Sequence, residues 1–325
     1  MPRAVAMIPI GIRPTNDFAF KKTYGSPFRT ATLISLLNAL LKLPHPITSV
    51  TILNPFSIRE FADDKLSVLD IRATDAFGNI YHVEMQVAIP VAFQNRMVYY
   101  GCQLYSTQLR AGAPYSQLKP VYSICLIAGK LWPDSCSVHQ TFRLADCATG
   151  RVLDRTLEIH TLELGCYNLA EQQLPTASML DRWLFWLLRA QDYSREQLVQ
   201  LFPDGPIREA TEILDEIAQQ TEDKAMYDAR EKKLRDQLWL MNATKFDREQ
   251  TFREGREEGI EKGIEKGIEK GRAEERFAAE VRMIQELQQI LGVPVTETST
   301  LLACSESQLR QMKDAIRNEL MARRG

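Results

Sequence analysis

The chain has 325 residues, 45% hydrophobic and 25% charged, with a formal net charge of −2. It is long enough for two domains, or one domain with appendages, and carries enough apolar mass for at least one packed core. No stretch approaches about 18 uninterrupted apolar residues, and the six cysteines form no CxxC pair or Cys/His cluster of zinc spacing, which excludes a membrane-spanning helix and a structural zinc site as readings.

The near-neutral total hides an asymmetry. Residues 1–165 carry 16 Lys/Arg against 12 Asp/Glu, whereas the remaining residues carry 24 against 30. A weakly basic first half is compatible with a polyanionic partner without requiring one. The N-terminal apolar run is too short for a signal peptide. Cysteines without disulfide spacing in so large a chain suit a reducing compartment, so a soluble, cytoplasmic protein is expected.

"TNDFAFKKTYGSP" predicts a short helix, with Thr15, Asn16 and Asp17 as N-cap candidates and Gly25 and Pro27 as the stop. "FRTATLISLLNALLKL" has helical apolar spacing and ends before Pro44, and "ITSVTILNP" is β-rich. "SVLDIRATDAFGNIYHVEMQVAIP" alternates on both sides of a loop, as a hairpin does. Val91 to Gly112 reads as a helix, Pro120 to Gly129 as a buried strand, and the segment around "ATG" as a further strand pair. From about Asn168 onward the pattern is helical, including "MLDRWLFWLLRA", whose Asp181, Arg182 and Arg189 mark it as a buried amphipathic helix. The expected divisions are residues 1–167, a helical region over 168–245 and a helical tail over 246–325.

The tail opens with "GREEGIEKGIEKGIEKGRAEE", in which glycine recurs every four residues from Gly255 to Gly271. On a helix those glycines form a slowly winding stripe, and each costs roughly 0.8–1 kcal/mol relative to alanine. Two readings stand: a close-packed helix partner in a homo-oligomer, or a solvated spacer. Beyond it, a "GVP" break and the "SESQL" start faintly resemble a helix-turn-helix, but the lack of basic or base-reading residues favours a structural or oligomerising tail.

The hairpin carries the chemistry. With Ala76-Phe77-Gly78 as a three-residue loop and Gly78 left-handed, paired residue numbers sum to 154. Asp70 then lies directly across from Glu84, with Cβ atoms about 4.5–5.5 Å apart. Gln86 and His82 share that face, while Leu69, Ile71 and Ala73 against Tyr81, Val83, Met85 and Val87 form a core surface. Facing carboxylates repel and require compensation. A divalent cation supplies it, since Mg²⁺ takes one or two carboxylates plus waters and phosphate oxygens; on spacing alone, a solvated polar face remains the other reading. His82 is expected to be a strand-edge residue rather than a general base.

"NDFAFKKTYG", "LDIRATDAFGNIYHVEMQ" and "NRMVYYGCQLYSTQLRAGAPYSQLKPVYSICLI" together resemble the PD-(D/E)XK nuclease family of transposases, the recombination-promoting nuclease group. The similarity covers roughly residues 13–165, and the Gly-Glu-Lys repeat is also a habit of that group. The resemblance implies an α/β chain with a restriction-endonuclease-like αβββαβ core and a C-terminal all-helical extension. It implies a Mg²⁺- or Mn²⁺-dependent endonuclease acting on DNA in a recombination or mobile-element role. Asp70 and Glu84 would be its metal ligands, and Gln86 would stand where the wider superfamily has lysine. A neutral amide there only orients through hydrogen bonds, so a DNA-binding or oligomerising protein without turnover is the alternative. The missing cation could come from Lys21, Lys22 or Lys65. Asp17 is either a further metal ligand or an N-cap. Arg96 and Tyr100, four residues apart on one helix face, either meet phosphate or scaffold the site, with plain tyrosine packing as the bland alternative.

Overall fold

The computed structural model describes residues 8–54, 70–90, 92–134, 137–153, 155–203 and 205–323, and for Asp70 and Lys245 the backbone alone. It is a mixed α/β chain with a six-stranded sheet and a helical C-terminal region. Two compact units divide it, 1–240 and 241–325.

In the first unit, α1 (Asp17–Tyr24) begins where Asn16 accepts hydrogen bonds from the Phe18 and Ala19 amides and ends at Gly25. Helix α2 (Ala31–Leu41) follows, then β1 (Val50–Ile52), β2 (Asp70–Asp75) and β3 (Ile80–Gln86). Helix α3 (Phe93–Ser106) leads to β4 (Val121–Ile127), β5 (His139–Arg143) and β6 (Leu157–Glu163). Helices α4 (Met179–Arg189), α5 (Arg195–Leu201) and α6 (Pro206–Gln219) follow, and α7 (Thr221–Leu291) runs on past the boundary. This is the element order legible in the sequence.

The sheet order is β1-β2-β3-β4-β6-β5. The β2–β3 pair is antiparallel with Asp70 opposite Glu84 and Ile71 opposite Val83, the register that the sum of 154 predicts. Gly78 has φ +82°, which only glycine adopts without strain, and its amide bonds back to the Asp75 carbonyl. Asp75 braces the loop: Oδ1 accepts from the Phe77 and Asn79 amides, and Oδ2 from Asn79 Nδ2 and the Tyr81 hydroxyl at 2.8 Å each. Strand β3 then pairs in parallel with β4, and β4 with β6.

One face of the sheet carries the main core. Ile71, Ala73, Tyr81, Val83, Met85, Ile124 and Leu126 are buried there in the same cluster as Phe18, Phe20, Leu33, Leu37, Trp183 and Trp186 from the helices. The two buried indoles keep polar partners, Trp183 Nε1 donating to Ser35 Oγ and Trp186 Nε1 to Thr211 Oγ1, each at 3.0 Å. That core also takes in Ile207, Ile213 and Tyr227, so residues on both sides of position 167 share it. On the opposite face, Phe93 and Met97 of α3 cover Cys125, Ile127 and Ile159. Gly101 makes the close approach possible, because a Cβ there would sit 2.8 Å from Leu157 Cδ1 on β6.

The second unit is the remainder of α7, a break at Gly292 (φ +75°), α8 (Thr298–Leu302) and α9 (Glu306–Ala322), around Val281, Ile284, Leu301 and Leu309. Ser305 caps α9 in a capping box with Gln308. Among the described residues no helix is long and apolar enough to cross a membrane.

At the far edge of the core face, His160 and Glu158 are buried on β6. His139 Nε2 lies 3.0 Å from His160 Nδ1, and Arg143 Nη2 donates to Glu158 Oε2 at 3.0 Å. Burial opposes the Glu158 charge, but His160 and Arg143 outweigh it and hold its carboxyl below the usual range. Burial, then His160 and Lys42, push His139 down to about 4. In the pH range from about 6.5 down to 4 the unfolded chain takes up a proton at this position that the folded chain refuses. Stability therefore falls as pH falls through that range. Melting temperatures measured from pH 7.5 to 4 should show this decline, and His139→Gln should make it shallower.

Candidate functional site

Strand β3 lies inside the sheet, and its residues alternate between the two faces. His82, Glu84 and Gln86 fall on the face that α3 covers, alongside Ser123, Cys125 and Ile127 of β4. Glu84 is only 2% exposed. A carboxylate removed from water to that degree needs a cation or several hydrogen-bond donors. Arg96, one turn into α3, supplies one: its Nη2 donates to Glu84 Oε1 at 2.8 Å. The guanidinium carbon lies 5.5 Å from the centre of the Tyr100 ring, and Arg96 Nε is buried without a hydrogen-bond partner.

Burial, and then the charge of Glu84, push the Cys125 thiol far above its usual range. His82 is not at a strand edge. It is 2% exposed in an inner strand, with Nδ1 3.3 Å from Ser123 Oγ and its ring 6.3 Å from that of Tyr100. The sequence expectation fails here because it depends on which strand pairs with β3, and the parallel partner β4 lies beyond an intervening helix. Gln86 turns its amide back to donate to the Ala88 carbonyl.

Of the residues singled out in the sequence, Glu84, Gln86, Arg96 and Tyr100 lie on or over this face, and the backbone of Asp70 stands across from Glu84. Asp17 and Lys22 are held by α7. Asp17, the first residue of α1 beside its Asn16 cap, lies 3.7 Å from Arg230 Nη1, and Lys22 pairs with the buried Asp223. Lys21 makes no ion pair or side-chain hydrogen bond among the described residues. Lys65 lies outside the described residues.

The sequence leaves Arg96 and Tyr100 as phosphate contacts, a scaffold of the site or plain tyrosine packing; the direct bond from Arg96 to Glu84 comes from the fold. The neighbours Ser123 and Cys125 were not legible at all, since nothing local fixes the register of β4 against β3. The alternation Glu158-x-His160 hints at the second buried polar group, but its partners His139 and Arg143 come from another strand.

No group of three or more His, Cys, Asp or Glu able to hold a metal ion is found among the described residues, a set that lacks the Asp70 side chain. The donor set nonetheless fits a hard divalent cation. Mg²⁺ needs one or two carboxylates and fills its other positions with water and phosphate oxygens. A buried carboxylate with a second acidic residue registered directly across from it meets that need.

The sequence model of a family described as PD-(D/E)XK nuclease family transposase matches residues 14–244. No curated protein and no solved structure matches the chain.

Proposed function

This chain belongs to the PD-(D/E)XK nuclease family of transposases, and on that premise we propose that it is a Mg²⁺- or Mn²⁺-dependent endonuclease that hydrolyses phosphodiester bonds in DNA, in a recombination or mobile-element role. The observation that carries this reading is the pairing of Asp70 with the buried Glu84. The order α2-β1-β2-β3-α3-β4 supports a restriction-endonuclease-like αβββαβ core. The free thiols, among them the exposed Cys102 and Cys147, suit a reducing cytoplasm.

Asp70 and Glu84 hold the cation in this proposal, and Asp17 is the further candidate ligand. When bound, Mg²⁺ or Mn²⁺ supplies charge to offset that of the scissile phosphate and a water prepared for attack. Gln86 lies at the end of the same strand face, where its amide orients a water or a phosphate oxygen once it leaves the Ala88 carbonyl. Before a cation binds, Arg96 bonds to Glu84, and Tyr100 supports the guanidinium. Lys21 is the candidate phosphate contact on α1. The position usually held by lysine then contributes orientation and no charge, so a low turnover is expected.

A second reading concerns the C-terminal unit, for which we propose self-association. A Cβ at Gly255, Gly259, Gly263, Gly267 or Gly271 would meet nothing within 4 Å, and Ile260, Ile264 and Ile268 are each at least half exposed. At about 100° per residue, the Gly and Ile rows lie side by side, with the Lys262–Lys266–Lys270 row along one border and the Glu261–Glu265–Glu269 row along the other. Two copies packed in parallel through the Gly–Ile face set lysines against glutamates, whereas antiparallel packing sets like against like.

Purified protein should nick or cut supercoiled DNA only with Mg²⁺ or Mn²⁺, and Asp70→Ala should lower the rate by more than about 100-fold, beyond what outer-shell changes at metal sites cost. Absence of cutting with either cation, by folded protein that still binds DNA, would leave the non-catalytic DNA-binding reading. For the tail, sedimentation should show a dimer that Ile260/Ile264/Ile268→Glu converts to monomer. An unchanged oligomeric state would remove the Gly–Ile face as the contact.

A further inference from the structure

We propose that Arg96 holds the place of the metal ion at Glu84 and is displaced when the ion binds, so that this arginine sets the metal affinity of the site. The inference rests on the reading of Asp70 and Glu84 as ligands.

Three observations carry it. The first is electrostatic. The Glu84 side chain is 3% exposed, and its register neighbour on β4, Cys125, offers only a neutral thiol. The guanidinium of Arg96 donates to the carboxylate at 2.8 Å, on a face whose β2 edge also carries Arg72, opposite His82.

The second is how few contacts hold Arg96. It reaches Glu84 through one nitrogen, its Nε is buried without a partner, and its other contact is the Tyr100 ring. The same chain contains an arginine held firmly for comparison. Arg29 grips Glu216 with both terminal nitrogens, at 3.0 and 2.8 Å, the paired geometry that makes such bridges strong. Arg96 makes one such bond where Arg29 makes two, so one bond must break for it to leave Glu84.

The third is an exit. The Arg96 side chain is 37% exposed, so its charged end can turn into water while its stem stays packed on α3. A dication on Glu84 and a guanidinium on the same oxygen repel each other, and the carboxylate cannot serve both at full strength. Binding of one therefore weakens binding of the other.

The test is calorimetric titration of Mn²⁺ into the full chain without DNA, for the native protein, Arg96→Gln, Arg96→Lys and Asp70→Asn, beside melting temperatures in EDTA and in Mn²⁺. Arg96→Gln should bind Mn²⁺ about tenfold more tightly than the native protein. Arg96→Lys keeps the competing charge and should stay within a few-fold of native. Arg96→Gln should melt below the native protein in EDTA and recover in Mn²⁺, and Asp70→Asn should not bind. Equal or weaker Mn²⁺ binding by Arg96→Gln, or a melting loss that Mn²⁺ does not restore, would overturn the role of Arg96 while native binding kept the metal reading intact. Failure of the native protein and Arg96→Gln alike to bind, or native-like binding by Asp70→Asn, would instead remove the metal reading and this inference with it.

Discussion

The bond between Arg96 and Glu84 is the interaction around which the site face is organised. Glu84 sits in an inner strand at 2% exposure, and an ionised carboxylate so placed costs several kcal/mol unless it is compensated. One compensating bond comes from a helix, through Arg96, so α3 must lie close and at a fixed height. Gly101 removes the side chain that would hold α3 away from Leu157, and Phe93 and Met97 seal it over Cys125 and Ile127. Loss of either partner of such a pair typically costs about 3–5 kcal/mol, because the survivor is left charged and buried. An interior that only had to be stable would more cheaply hold an apolar residue at position 84. Retention of a carboxylate there is the physical argument for function.

The two faces of the sheet divide the work. Ile71, Ala73, Tyr81, Val83 and Met85 pack against α1, α2 and α4 and give the hairpin its rigidity, while the other side of the same strands presents His82, Glu84 and Gln86. Alternation along the strand makes this possible within regular strand backbone. The His139–His160–Glu158–Arg143 group lies on the core face and is therefore separate from the Glu84 side.

Legibility in the sequence followed the range of the interactions. The hairpin register was readable because a short loop with a left-handed glycine fixes it locally, so the Asp70–Glu84 pairing followed from arithmetic. The capped start of α1 and the buried tryptophan helix were readable for the same reason, through local caps and periodicity. Long-range placements were not. The parallel partner of β3 lies beyond α3, so no local pattern signals that His82 is buried against Ser123. Lys22, a candidate cation for the site, is instead bound to Asp223, about 200 positions away, an ion pair that no local pattern encodes. The direct contact of Arg96 with Glu84 likewise depends on the height of α3, which Gly101 sets.

The most direct test is a crystal structure of the full chain grown with Mn²⁺, with data collected at a wavelength where manganese scatters anomalously. A peak bonded to both the Asp70 and Glu84 carboxylates is the predicted result. Full occupancy of Glu84 by Arg96, with no peak between the two strands at saturating Mn²⁺, would contradict the assignment of this face as a metal-dependent active site.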